Sequence, residues 1–286
     1  MGADTETAEG PPALPEAAGA KVVQRHRLST RLWHWVNVVV VTIMLMSGLM
    51  IFNAHPRLYW GQYGANFDTP WLSIGSTDTS GHVAIGRAQI PTTGVFGYWR
   101  DSHGSIQHRA FPGWATIPSY YSLASARRWH LAFAWLLALS FLLYFIWSIV
   151  NRHVQRDLAP SREQLKPRHV WHDIIDHARL RFPRGEAAAH YNILQKFAYL
   201  GVIFLLLPLL ILTGLTMGPN NDAAFPWLLD LFGGRQSARS LHFIAAMLIL
   251  LFIVIHLVMV VLAGPLNEIR SMITGWYRLP PERKEQ

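Results

Sequence analysis

The chain has 286 residues, of which 51% are hydrophobic and only 15% charged, and its mean hydropathy is positive at +0.19. This composition excludes an ordinary soluble domain and fits an integral membrane protein. No cysteine is present among the residues while histidine occurs fourteen times, which excludes disulfides, cysteine-ligated zinc, iron–sulfur clusters and covalently attached haem, and leaves histidine as the metal ligand.

Residues 1–20 are rich in Ala, Pro, Gly and Glu and read as a disordered tail. No apolar core precedes Lys21, so no cleavable signal peptide is expected. Lys21, Arg25, Arg27 and Arg31 lead into a first span over 32–52. Trp33 and Trp35 mark its interfacial end, with His34 between them. Ser47 and Gly48 lie deeper, where small residues admit a flat ligand or a second helix.

Residues 53–127 hold no strong span. Trp60, Trp71, Trp99 and Trp114, with many Tyr, Phe, Gly and Pro, make the segment too aromatic for a linker. It reads as a small extramembrane subdomain of turns and short elements. A second span over 128–150 opens with His130. A linker over 151–196 carries nine Lys or Arg, and Val170 to Arg181 within it has the pattern of an amphipathic helix on a lipid surface.

The third span covers 195–217, with Pro208 inside it as a kink and Gly201 and Gly214 as points of close approach. Residues 218–238 read as a short polar turn, and a fourth span covers 238–263. The basic tail, 264–286, opens as an interfacial helix through Leu266, Ile269, Met272 and Ile273. The expected fold is an all-α integral membrane protein. A four-transmembrane-helix bundle within 21–286 carries a long extracytoplasmic loop between its first two helices. Four spans put both termini on one side, and 17 Lys and Arg there against 8 on the other place the termini in the cytoplasm. The +8 net charge is thereby explained by loops at a membrane, without nucleic acid.

Histidines in such spans are costly unless occupied or paired. His242 and His256 are separated by thirteen residues without a charge. Fourteen helical steps put both rings on one stripe, roughly 21 Å apart along the axis. The topology then sorts four histidines into two levels: His34 with His256 near the cytoplasmic side, and His130 with His242 near the opposite side. Two imidazoles facing each other across a bundle suit a six-coordinate haem b, which transfers electrons because no axial position is open. A lone histidine at a helix end is more often only a hydrogen-bonding residue; two matched levels need more than that. The other ten, His55 immediately after the first span among them, lie in loops and read as solvated or structural.

These features resemble the bacterial di-haem cytochrome b subunits of the cytochrome b561/nickel-hydrogenase type, which include the formate dehydrogenase membrane subunit. The resemblance rests on Arg31-Leu-Trp-His34-Trp with Ser47-Gly48-Leu49, on Arg128-Trp-His130, on Tyr191-Asn192-Ile-Leu-Gln195-Lys196 leading to Thr213-Gly214, and on His242 with His256. It implies bis-histidine haem b at both levels in a bacterial inner-membrane protein. It also implies a quinone site near Asn192, with Gln195 and Lys196 as weaker candidates; a helix-cap role for Asn192 is the competing reading. The implied function is electron transfer between the quinone pool and a periplasmic redox partner: a molybdenum-cofactor oxidoreductase, a hydrogenase or a soluble cytochrome. The long 53–127 loop departs from the formate dehydrogenase pattern and leaves the partner open. Two other classes remain: a stand-alone quinone-linked oxidoreductase such as a superoxide oxidase, and a haem-free transporter.

Overall fold

The computed structural model describes residues 21–152, 154–181 and 191–279. The predicted tail over 1–20 lies outside the described residues, as do His153 and His190. Four apolar helical rods of membrane-spanning length form the body: α1 (Leu28–Phe52), α2 (Leu123–Val150), a broken third rod (Ile193–Thr216) and α8 (Arg235–Ala263). Each begins a few residues before its predicted span, and the third ends one residue before its predicted end. Only a helix satisfies every backbone group within its own segment in lipid, so apolar runs of this length have no other local solution.

The third rod comprises α4 (Ile193–Gly201), a π-helical stretch (Val202–Leu206) and α5 (Leu207–Thr216). Pro208 has no N–H for the turn before it, and the wide turn lies immediately upstream, as expected of a proline inside a span. The bundle closes on Val40, Leu137, Leu207 and Ile249, with Met44, Phe133 and Phe141 packed around them. Most other large apolar side chains on the rods are exposed, among them Leu131, Trp135, Leu143, Leu251 and Val261, as a lipid-facing surface requires.

The connection between α1 and α2 differs from the all-α expectation. Strands β2 (Arg57–Leu58), β3 (Leu72–Ser76), β4 (Gly81–Ile85) and β5 (Ala88–Pro91) form an antiparallel meander in chain order, and β6 (Trp99–Arg100) pairs with β7 (Ile106–Gln107). Ile74 stands opposite Val83, and Val83 opposite Ile90. The core of this cap is Phe52, Leu58, Ile74, Ala110 and Phe111, with Phe243 of α8 packed against it. Asn53 holds the exit of α1: its Nδ2 donates to Phe111 O at 3.2 Å, and its Oδ1 accepts from Phe111 N at 2.8 Å.

The supposed turn over 218–238 contains α6 (Pro219–Ala224) and α7 (Trp227–Leu231) before α8 begins. The first N–H groups of α8 have no partner within the helix. The cap supplies one: Gln236 N and Ser237 N both donate to Gly61 O, at 3.0 and 3.1 Å, and Gly61 N returns a bond to Ser237 Oγ at 2.7 Å. Gly234 sits at φ +109, and a Cβ there would lie 2.6 Å from Gly61 C and O.

At the opposite end, the predicted surface helix in the linker is α3 (Pro167–Ala178), which leaves Trp171 and Ile174 exposed. The predicted tail helix is α9 (Pro265–Thr274). It leads into β8 (Trp276–Arg278), which pairs antiparallel with β1 (Val22–Gln24), an unpredicted ribbon that joins the two described terminal segments. Arg25 meets Glu268 at 3.1 Å and stacks 4.5 Å over Tyr277, while Trp35 Nε1 donates to Met272 O. This terminal side is termed the near end and the cap side the far end.

Two outcomes follow. Gly234→Ala should destabilise the protein by more than about 1 kcal/mol, read as a lower melting temperature in detergent. Gly86→Ala, also at positive φ but in open space, should have a smaller effect. Burial first, then Arg25, His34 and Arg31, lower the pKa of His26 from 6.5 to about 4. The unfolded chain therefore binds this proton more readily, so stability is complete above pH 6.5 and is lost as pH falls towards 4. His26→Gln should flatten that part of a stability-against-pH curve.

Candidate functional site

The two-level arrangement expected from the sequence is present in the geometry. His34 on α1 faces His256 on α8 with ring centres 6.4 Å apart and planes at 59°. His130 on α2 faces His242 on α8 with ring centres 6.2 Å apart and planes at 63°. An imidazole–metal bond is about 2 Å and a ring nitrogen lies about 1 Å from its ring centre, so two imidazoles on opposite sides of one metal have centres about 6 Å apart. Both pairs meet that separation. Among the described residues no group of three or more His, Cys, Asp or Glu is placed to hold a metal ion. Two protein ligands per level therefore suit a metal whose remaining bonds come from a macrocycle.

The far pair has its tautomers fixed by its neighbours. Ser47 Oγ donates its one proton to Ile43 O at 2.6 Å, so toward His130 Nδ1, 3.0 Å away, it can only accept. Thr213 Oγ1 donates to Leu209 O at 2.5 Å and stands 3.0 Å from His242 Nδ1 in the same relation. Nδ1 of each ring thus faces acceptors, the hydroxyl oxygen and a backbone carbonyl (Met44 O for His130, Leu210 O for His242), an arrangement that favours the hydrogen on Nδ1 and leaves the Nε2 lone pair for a metal. The following glycine makes room in each case: a Cβ at Gly48 would lie 3.3 Å from His130 Cε1, and one at Gly214 would lie 3.5 Å from His242 Cε1. Gly201, the third predicted close-approach point, has nothing within 4 Å of a built Cβ. A hydroxyl–glycine pair thus meets a histidine twice, once between α1 and α2 and once between α5 and α8. The repeat is visible in the sequence as Ser47-Gly48 and Thr213-Gly214, but its tie to the histidines was not read there.

The near pair is built differently. His34 Nδ1 is buried without a hydrogen-bond partner, and His256 stacks on Phe252 at 5.8 Å. Asn192 caps α4: its Oδ1 accepts from Gln195 N at 2.9 Å, and Gln195 Oε1 accepts from Asn192 N at 3.2 Å. Asn192 Nδ2 lies 3.4 Å from His177 Nε2. Lys196 Nζ donates to Ala159 O and Gln164 Oε1. These three residues thus hold the start of α4 to its neighbours, the competing role considered for Asn192. An open recess of about 610 Å³ lies in the cap, lined by Tyr59, Trp60, Tyr63 and Trp71, and neither histidine pair borders it.

The sequence matches known proteins. A family profile described as prokaryotic cytochrome b561 matches residues 25–275. A relative from Azospira oryzae, named as a protein-methionine-sulfoxide reductase subunit, is 27% identical over 86% of this chain and 93% of its own length. A Cupriavidus necator relative named as a Ni/Fe-hydrogenase B-type cytochrome subunit is 21% identical over 95% of this chain and 93% of its own. A Rhodobacter capsulatus relative of the same name is 22% identical over 89% and 81%. No solved structure matches.

Removal of either hydroxyl should release its ring. Ser47→Ala or Thr213→Val forfeits a bond worth about 1 kcal/mol net. Nitrogen NMR of histidine-labelled, metal-free protein should show one fixed Nδ1–H tautomer giving way to a mixture in each variant. An unchanged spectrum would show that the hydroxyls do not set the tautomer.

Proposed function

Because the chain belongs to the prokaryotic cytochrome b561 family, a multi-pass bacterial membrane haem b electron-transfer subunit, we propose that it carries two b-type haems and passes electrons between the quinone pool and a redox enzyme on the far side. The observation that carries the reading is the pair of facing imidazoles at 6.4 and 6.2 Å, both with one ring on α8. His34 and His256 would hold one haem, and His130 and His242 the other. Haem, when bound, supplies reversible one-electron storage at each level.

The chain's own residues do the rest. Ser47 and Thr213 orient the far rings. Val40, Leu137, Leu207 and Ile249 fill the bundle and keep water out of it. The helix rise sets the two levels roughly 21 Å apart. Quinone exchange is proposed at the near end, with Asn192, Gln195 and Lys196 fixing the start of α4 beside the near pair. The near end is proposed to be cytoplasmic and the cap periplasmic, in line with the basic residues of the termini and linker. The cap, tied to α8 within two residues of His242, is proposed as the docking platform. Hydrogenase and methionine-sulfoxide reductase subunits among the relatives support a redox enzyme as the partner. A molybdenum-cofactor oxidoreductase is the first candidate to test.

Purified protein should contain two haems and show a b-type α band on reduction. His34→Ala and His242→Ala should each leave one haem in a folded protein. A reduced protein without that band would end the reading, and loss of both haems from either variant with the fold intact would refute the two-level assignment. Affinity purification from native membranes should bring down a redox enzyme; full quinone-linked activity of the single subunit would favour a stand-alone enzyme instead.

A further inference from the structure

The far pair lies beneath a positive charge that no carboxylate among the described residues neutralises. Arg239 is one turn before His242 on α8, on the same side of the helix, and is half-buried. Its guanidinium donates to His55 O at 2.5 Å and lies 5.9 Å above the Phe52 ring. Among the described residues no carboxylate is paired with it. Beside it, His55 Nε2 is buried without a hydrogen-bond partner, the His55 ring being stacked on Tyr59. A partly buried cation and an orphaned ring nitrogen are both costly, and one anionic oxygen group would satisfy both.

The placement says where such a group would come from. On α1, Gly48 touches the His130 ring, Phe52 lies one turn above it, and His55 follows the helix end. On α8, Arg239 lies one turn above His242 in the same direction. The two ascending segments meet at the Arg239–His55 bond, over the space between the far imidazoles. Haem b carries two propionate carboxylates on one edge, and an edge turned toward the far end would bring them to this place.

We infer that Arg239 and His55 form the seat for the propionate carboxylates of the far haem, with Arg239 as counter-ion and His55 Nε2 as hydrogen-bond donor. This rests on the two-haem reading. Arg239 is then a positioning and potential-setting residue, and it closes the top of the haem crevice against the cap. An anionic lipid headgroup offers the same oxyanion chemistry, and the test separates the two sources.

The test is a redox titration of the full-length, haem-loaded protein in detergent, with Arg239→Gln and Arg239→Lys beside the wild type. Loss of the counter-ion leaves a carboxylate charge that favours the oxidised state. Arg239→Gln should therefore shift the reduction equilibrium of one haem about tenfold toward oxidised, about 59 mV for a one-electron couple, and leave the other in place. Arg239→Lys should keep most of the wild-type position. The same titration repeated across pH should show the potential of that haem becoming pH-dependent in Arg239→Gln, because a buried propionate without its counter-ion takes up a proton more readily, and reconstitution with haem dimethyl ester, which has no free carboxylate, should abolish that pH dependence. Should Arg239→Gln fail to fold, the ester against native haem in the wild-type protein and in Arg239→Lys asks the same question.

Two bound haems with unshifted potentials would overturn the seat while leaving the two-haem reading intact. A pH dependence in Arg239→Gln that persists with the ester would overturn it as well. Unchanged potentials with loss of co-purifying anionic phospholipid would assign the site to lipid and overturn the haem assignment. Protein that binds no haem at all would instead remove the underlying reading.

Discussion

A buried imidazole has two nitrogens to satisfy, and only one of them can go to a metal. At the far level the other is taken by a hydroxyl whose own proton is already spent on the carbonyl one turn back. That single arrangement explains several features together. It needs a Ser or Thr on the neighbouring helix at the depth of the ring. A glycine next to it leaves the ring room: a Cβ at Gly48 would crowd His130 at 3.3 Å, while one at Gly214 would just meet His242 at 3.5 Å. The arrangement pairs α1 with α2 and α5 with α8 as two hairpins of like construction. The bundle is the packing of these hairpins, and the rings they aim at each other define the space between them.

The cap extends this rigidity to the far surface. It shares its core with the bundle through Phe52 and Phe243, and Phe243 directly follows His242 in the chain. It also completes the open end of α8, because Gly61 O accepts the N–H groups that the helix cannot satisfy itself. Ser240 Oγ donates to Tyr59 O and accepts from Trp71 Nε1, two residues from His242. The segment between the spans is thus continuous with the ligand-bearing helix by hydrogen bond and by packing. A partner held by the cap would be held in fixed relation to the far pair.

The bundle was legible because lipid leaves an apolar run of twenty residues no structure but a helix, and because His242 and His256 share a stripe by arithmetic alone. The pairing of levels followed from topology. The cap sheet was harder, although its alternation was present: Leu72 and Ile74, then Val83 and Ile85, then Ile90. Its strands are short, and abundant aromatic and turn residues hid the period. The β1–β8 ribbon could not be read, since it joins three-residue segments more than 250 positions apart with no local signature. The roles of Ser47, Thr213, Arg239 and His55 were missed for another reason. Each depends on which ring or carbonyl stands opposite, and a sequence reports neighbours along the chain but not across it.

At the near level a motif position carries a structural role that stands beside the chemical one proposed for it. Tyr191-Asn192-Ile-Leu-Gln195-Lys196 is the stretch that suggested a quinone site, yet Asn192 and Gln195 spend their oxygens on each other's backbone N–H groups. A quinone carbonyl accepts hydrogen bonds, so its partner must be a donor that the fold has not consumed. Among the described residues, the buried donors without hydrogen-bond partners at the near end are Arg25 Nε, Arg31 Nε, Trp33 Nε1 and His34 Nδ1. In the quinone reading, therefore, the capping box would contribute position, by fixing where α4 starts. The hydrogen bonds to the headgroup would fall to these side chains of the near end. The far level has its ring nitrogens locked by protein hydroxyls, and the near level keeps one open. In that reading the difference would separate a level that only relays electrons from one that also receives a small molecule.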